Sequence, residues 1–180
     1  MHGHANMEII TDILSGALEH KDSLGSGSVI RPGDVQVMSA GKGILHSEFN
    51  PSPDEDVHLL QIWIMPSERD TKPAYQEKRY DPADFDNRFR VIVSGDGRGD
   101  SLRILQDAAV LAARLGQGKT VSFAMQQGRK YWLQVARGAV DAFGQTLEAG
   151  DALALENETA ALDIISKADA ELLLFDLPAE

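Results

Sequence analysis

Along this chain, short apolar stretches alternate with clusters of turn-forming residues, and few segments carry the three-to-four-residue apolar spacing of an amphipathic helix. Runs rich in Val, Ile, Leu and aromatics predict strands over 7–14, 17–20, 35–38, 58–65, 90–93 and 102–105. A second series is expected over 120–123, 130–135, 139–143, 152–155, 161–165 and 172–176. Between them lie Asp22-Ser23-Leu24-Gly25, Arg31-Pro32-Gly33-Asp34, Ser94-Gly95-Asp96-Gly97 and Glu148-Ala149-Gly150-Asp151, whose residue types suit tight turns. One segment, 106–115, is Ala-rich and on propensity alone reads as helix. The rhythm as a whole predicts an all-β fold of the sandwich or barrel kind.

The pattern also repeats. Leu14-Ser15-Gly16-Ala17-Leu18 resembles Ala136-Arg137-Gly138-Ala139-Val140, and Arg31-Pro32-Gly33-Asp34-Val35 resembles Glu148-Ala149-Gly150-Asp151-Ala152. The run 58–66 resembles 171–178 in turn. Three pieces recurring in one order predict two copies of one β module. The expected division is an N-terminal module over 1–66, a linker with connecting strands over 67–103, and a C-terminal module over 104–180. The polar stretch 67–87, with Pro73 and Pro82, is the expected join.

Composition narrows the chemistry. With 43% hydrophobic and 25% charged residues in 180, the chain can bury a real core. Cysteine is absent, so disulfides, thiolate catalysis and Cys-type zinc sites are excluded, which fits a cytoplasmic address. The formal charge of −11 argues against nucleic acid as a direct ligand, because phosphate binding needs a cationic surface. No apolar run approaches the roughly 18 residues of a membrane span, and the first residues lack the pattern of a secretory signal.

Three of the five histidines fall in two doublets, His2-Gly3-His4 and His46-Ser47-Glu48. On strands, residues two apart share a face, so each doublet would aim both side chains the same way. Two such doublets on neighbouring strands give three imidazoles and one carboxylate, a set that suits Fe, Cu, Ni, Mn or Zn rather than Ca or Mg. Four ligands leave positions open for chemistry or sensing. A frayed terminal His-x-His is the plainer alternative, and spacing alone does not decide between them. Glu8 shares the parity of His2 and His4, so it is expected either near the same point or as a paired or solvated carboxylate. His20 is expected to face solvent, and His58 to be a core-edge histidine rather than a ligand. Trp63 and Trp132 are expected in the core or at a barrel mouth, with Met38, Phe49 and Met65 as pocket candidates.

Longer stretches carry a resemblance. His2-Gly3-His4, Met7-Glu8-Ile9-Ile10-Thr11, Gly16-Ala17-Leu18-Glu19-His20-Lys21-Asp22-Ser23, Arg31-Pro32-Gly33-Asp34-Val35-Gln36 and residues 38–48 look like the pirin family, and the likeness continues to Pro178. It implies a bicupin: tandem double-stranded β-helix barrels, the first carrying metal and the second degenerate, as the histidine-free second copy would fit. It implies His2, His4, His46 and Glu48 as ligands of one divalent metal ion, Fe(II) foremost, with Cu, Ni, Mn, Co or Zn as alternatives. It further implies quercetin 2,3-dioxygenase activity on a flavonol and O2. The flavonol would chelate the metal through its 3-hydroxyl, Glu48 would take the phenolic proton as the catalytic carboxylate, and carbon monoxide would leave. A non-enzymatic, redox-sensing regulator acting through a protein partner would use the same four ligands, and a shortened metal-free copy is the third reading. Family members usually carry a few dozen residues before the first doublet. Their lack here predicts an exposed N-terminal edge that a second copy could cover in a homodimer.

Overall fold

A computed structural model describes residues 1–179, which fold as two units. The first comprises 1–80 with 102–106, and the second 81–101 with the chain from 107 onward.

In the first unit, alternating apolar positions build β1 (His2–His4), β2 (Glu8–Ser15), β3 (Leu18–Asp22), β4 (Gly27–Ile30), β5 (Asp34–Ser39), β6 (Ile44–Phe49), β7 (His58–Ile64) and β8 (Ala74–Arg79). They form two sheets, ordered β1-β6-β3-β4 and β7-β2-β5-β8, with antiparallel neighbours. Two apolar groups join the sheets face to face: Ile9, Met38, Ala40 and Ile44 in one, Ile13, Leu18 and Ile30 in the other. The second unit takes β9 (Arg90–Ser94), while β10 (Leu102–Arg103) returns to the first. The second unit then continues with β11 (Ala109–Leu115), β12 (Thr120–Ala124), β13 (Arg129–Arg137), β14 (Ala139–Ala142), β15 (Gln145–Glu148), β16 (Ala152–Glu156), β17 (Ala161–Ser166) and β18 (Ala170–Pro178). Its sheets run β9-β11-β18-β13-β16 and β12-β17-β14-β15. Double-sheet β barrels of this kind are the cupin architecture.

The expected helix over 106–115 is a strand, β11. Its Ala109 and Ala113 are buried in a strand laddered to β9 and β18, and that tertiary pairing outweighs helix propensity. Strands β4, β8 and β15 arise where none was expected, and β8 lies inside the polar join. Each is an edge strand with one ladder partner, so it needs fewer apolar residues than a central one.

The repeat is structural. The ladders of β2 with β7 and of β13 with β18 slip register at the same point, between Ile13 and Ser15 and between Val135 and Arg137. Each bulge leads into a glycine with positive φ, Gly16 at 75° and Gly138 at 78°. At both glycines an added Cβ would collide with a facing backbone carbonyl, that of Asp56 or Asp169. The second echo is a turn closed alike in both copies: Asp34 accepts from the Arg31 N–H at 2.8 Å, and Asp151 from the Glu148 N–H at 2.9 Å.

Counted from these landmarks, positions of the first barrel's middle layer correspond to positions of the second. Thr11, Gln36 and Gln61 fall on Leu133, Leu153 and Leu174 through the ladders that join them. His20, Glu48, His46 and His2 fall on Ala142, Ile164, Leu162 and Phe123 in the same way. All seven counterparts belong to, or pack against, the second unit's apolar core. The two barrels share a frame and differ in what fills the middle.

Gly138→Ala and Gly16→Ala should each destabilise the protein by at least about 1–3 kcal/mol from backbone strain, with the carbonyl clash in addition. Thermal unfolding should show a fall of at least about 2 °C for each, while Gly25→Ala, where no atom stands within 4 Å, should lose only the conformational part.

Candidate metal centre

The first barrel is polar where its two sheets face each other between the apolar groups. On one sheet, Glu77, Gln36, Thr11 and Gln61 stand side by side across β8, β5, β2 and β7. On the other, Glu48 lies opposite His20 and His20 opposite Ser28, while the neighbouring row is His2, His46 and Asp22. Strand alternation delivers both doublets to this face, as expected from their spacing.

The rings of His2, His4 and His46 meet edge to face, with centroids 4.4–4.9 Å apart. His46 Nε2 lies 2.9 Å from His2 Nε2. The donor atoms of these three histidines lie within 4.8 Å of one another, and so do those of His20, His46 and Glu48. His46 thus belongs to both groups, and Glu48 gathers with His20 rather than with the terminal doublet. Burial, with His2, His20 and His4 around it, lowers the His46 pKa to about 4, and burial followed by His2 lowers that of His4. Both rings are therefore neutral at pH 7 and offer lone pairs. Among the described residues, His46 Nδ1 and Glu48 Oε1 are buried atoms without a hydrogen-bond partner. A cluster of neutral imidazoles with an unpartnered carboxylate oxygen fits a divalent metal ion of the nitrogen-preferring kind.

His20 is not at the surface. It is fully buried, its ring stacked on Tyr75 at 5.0 Å and 5.3 Å from that of His46. Burial works against ionisation of Asp22, but hydrogen bonds from His20 and from the Ser26 and Leu24 N–H groups hold its pKa below the usual range. His20 Nε2–H therefore donates to Asp22 Oδ2 at 3.1 Å, and Gln36 Nε2 approaches His20 Nδ1 at 3.4 Å. Tyr75 extends this network, with its hydroxyl 2.6 Å from Ser28 Oγ and 2.8 Å from Glu77 Oε2. The sequence pattern missed His20 because the bulge before Gly16 changes which parity faces inward. The signal was the recurring bulge motif itself.

Other expectations are met or corrected by the faces. Glu8 points away from the histidines, because its neighbour Ile9 takes the inner face. It is 1% exposed and accepts from Ser39 Oγ at 2.6 Å. His58 is exposed at the start of β7 and lies in neither donor group. Met38 is core. Phe49 lies on the outer face under Lys21, whose Nζ is 5.2 Å from the ring centroid. Met65 is 55% exposed, and Trp132 is partly exposed on β13 of the second unit. Trp63 is 55% exposed at the rim, its ring 5.1 Å from that of His4. Among the described residues, no helix is long and apolar enough to cross a membrane.

Residues 1–64 match the family model for Pirin, and residues 91–177 that for the Quercetinase C-terminal cupin domain. The chain is 40% identical over 177 residues to the quercetin 2,3-dioxygenase of Escherichia coli K12, covering 98% of this chain and 75% of that protein. It is 40% identical over 176 residues to a pirin-like protein of Caulobacter vibrioides, with 97% and 75% covered. The crystal structure of the bacterial pirin YhhW from Escherichia coli in complex with nickel(II) aligns with a TM-score of 0.91 at 38% identity, over 99% of this chain and 76% of that one.

Burial raises the Glu8 pKa against the hydrogen bonds from Ser39 and the Leu105 backbone. The unfolded chain then releases this proton before the folded one does, so stability drains away as pH rises from the unfolded value of 4.5 through the folded value. Glu8→Gln keeps the acceptor and removes the charge. Chemical denaturation should show its stability relative to wild type rising between pH 4 and pH 7; a difference that stays flat would contradict the burial.

Proposed function

The chain belongs to the pirin family, and on that premise we propose that it is a metal-dependent dioxygenase that cleaves flavonols such as quercetin with O2. In this reading His2, His4, His46 and Glu48 hold one divalent metal ion, Fe(II) or a substitute such as Ni(II), inside the first barrel. The observation that carries it is the meeting of three imidazoles with an unpartnered carboxylate oxygen nearby, in a chain 40% identical to a protein named for this activity.

When bound, such a metal supplies Lewis acidity that lowers a substrate hydroxyl's pKa and a meeting point for substrate and dioxygen. The chain's own groups do the rest. Depressed basicity keeps His46 and His4 as lone-pair donors, so protons do not compete with the metal near neutrality. Glu48 contributes the negative charge of the set and, at Oε1, an oxygen able to take the proton of a phenol. Trp63, at the rim beside His4, offers a flat apolar face for an aromatic ring system. The second barrel, filled with leucine, isoleucine and phenylalanine at the corresponding positions, has no donor set there and serves as scaffold. A cytoplasmic location accompanies this reading, supported by the lack of cysteine.

Metal analysis of the purified protein should give one equivalent of a transition metal. Aerobic assay with quercetin should then show oxygen uptake and carbon monoxide release that vanish under anaerobic conditions. Bound metal with neither gas exchanged would sink the enzyme reading. His46→Ala should weaken metal binding by more than the roughly 10- to 100-fold typical of outer-sphere changes; unaltered binding would remove the proposed site.

A further inference from the structure

Glu48 is gripped at one oxygen by a side chain from the opposite sheet. Gln61 Nε2 donates to Glu48 Oε2 at 2.8 Å, and Gln61 Oε1 accepts from Trp63 Nε1 at 3.1 Å. The two ends of an amide are alike in shape, so neither its size nor the backbone of β7 decides which end faces Glu48. The indole does. An indole N–H can only donate, so although Gln61 and Trp63 are both exposed, the orientation that satisfies both neighbours sets the amide oxygen toward Trp63 and the amide nitrogen toward Glu48. A flipped amide would set oxygen against carboxylate and N–H against N–H, losing both bonds and creating two repulsions.

We propose that Gln61 is a positioning residue for Glu48, and that Trp63 acts on Glu48 by locking the direction of the Gln61 amide. The bond crosses from β7 to β6 and engages Oε2 alone, so it leaves Oε1 as the oxygen without a partner. It fixes the carboxylate at a distance set by two sheets that the apolar groups on either side hold together. The second barrel supports the pairing: where the first has Glu48 and Gln61, it has Ile164 and Leu174. Carboxylate and amide are absent together. The inference rests on the reading that Glu48 is a metal ligand.

The test is Ni(II) affinity of the full chain at neutral pH, measured by competition with a chromophoric chelator. Glu48→Ala, Gln61→Leu, Trp63→Phe and the double variants complete the set. Gln61→Leu should bind about 10- to 100-fold more weakly than wild type, and Trp63→Phe should show a smaller loss. Trp63→Phe added to Gln61→Leu should cost nothing more, since the lock has nothing left to hold. Gln61→Leu added to Glu48→Ala should likewise change nothing, an outcome that a general structural role would not give. Gln61→Met, which keeps the length but neither polar group, repeats the test if the leucine variant fails to fold. Wild-type affinity in the Gln61 variants alongside weak binding by Glu48→Ala would overturn this proposal and leave the ligand set standing. Wild-type affinity in Glu48→Ala would overturn the ligand reading beneath it. Additive losses from Gln61→Leu and Trp63→Phe would show that Trp63 acts by another route.

Discussion

The structure depends on one demand: polar side chains enclosed between two sheets must find partners among themselves. Burying a hydroxyl, amide or imidazole without a partner costs on the order of 1–3 kcal/mol, and more for a charge. The first barrel meets this with ordered pairs. Asp22 anchors His20, Gln36 approaches the other nitrogen of His20, and Tyr75 joins Ser28 and Glu77. At the open end of this layer, the exposed Gln61 closes on Glu48 from across the barrel. Above and below, isoleucine, leucine and methionine keep the sheets in register, so the polar groups meet at fixed separations. Among the described residues of this barrel, the buried atoms without a partner, His46 Nδ1, Glu48 Oε1 and Thr11 Oγ1, all lie in that same layer. They mark where the interior is built around something other than its own stability.

The second barrel shows what the same frame looks like without that demand. Its bulge, its aspartate-closed turn and its ladder order repeat those of the first, yet the middle layer is leucine, isoleucine, alanine and phenylalanine. Charged pairs persist only elsewhere, as where Arg129 bridges Asp176 and Asp107 at 2.7 Å. An apolar filling needs no network, tolerates substitution and makes one continuous core. The comparison within a single chain separates what the fold requires, the bulge and the turns, from what the site requires, the seven polar positions.

Much of this could be read from residues alone. The doublets His2/His4 and His46/Glu48 declare their geometry because strand parity is local: side chains two apart share a face wherever the strand lies. The internal repeat was legible for a similar reason, since Gly16, Gly33, Gly138 and Gly150 answer to local backbone needs. What stayed hidden depended on partners distant in sequence. Edge strands such as β4 and β15 carry little apolar signal and exist because a neighbour offers a ladder. The alanines of β11 read as helix until two flanking strands enclose them. His20, expected at the surface, is buried, whereas Glu8 takes the second of its two expected places, as a carboxylate paired with Ser39. Strand parity does not carry past Asn6, whose φ is 53°, or past the bulge at Gly16. Gln61 carried no signal at all, for a glutamine on a strand means little until the sheet across from it is known.

The bulge at Gly16 has an evolutionary side. Before it, the odd-numbered residues Ile9, Thr11 and Ile13 look inward; after it, the even-numbered Leu18, His20 and Asp22 do. It works as a frameshift in the side-chain code of the chain. Most loops forgive the gain or loss of a residue, but here a single deletion would turn Glu19 and Lys21 toward His46 and expel His20 and Asp22. The same frame change at Gly138 aims Val140 and Ala142 into an apolar interior, where the penalty would fall on stability alone. Substitutions can thus rewrite what lines this barrel one residue at a time, while a change in the length of the path into β3 would rewrite all of it at once.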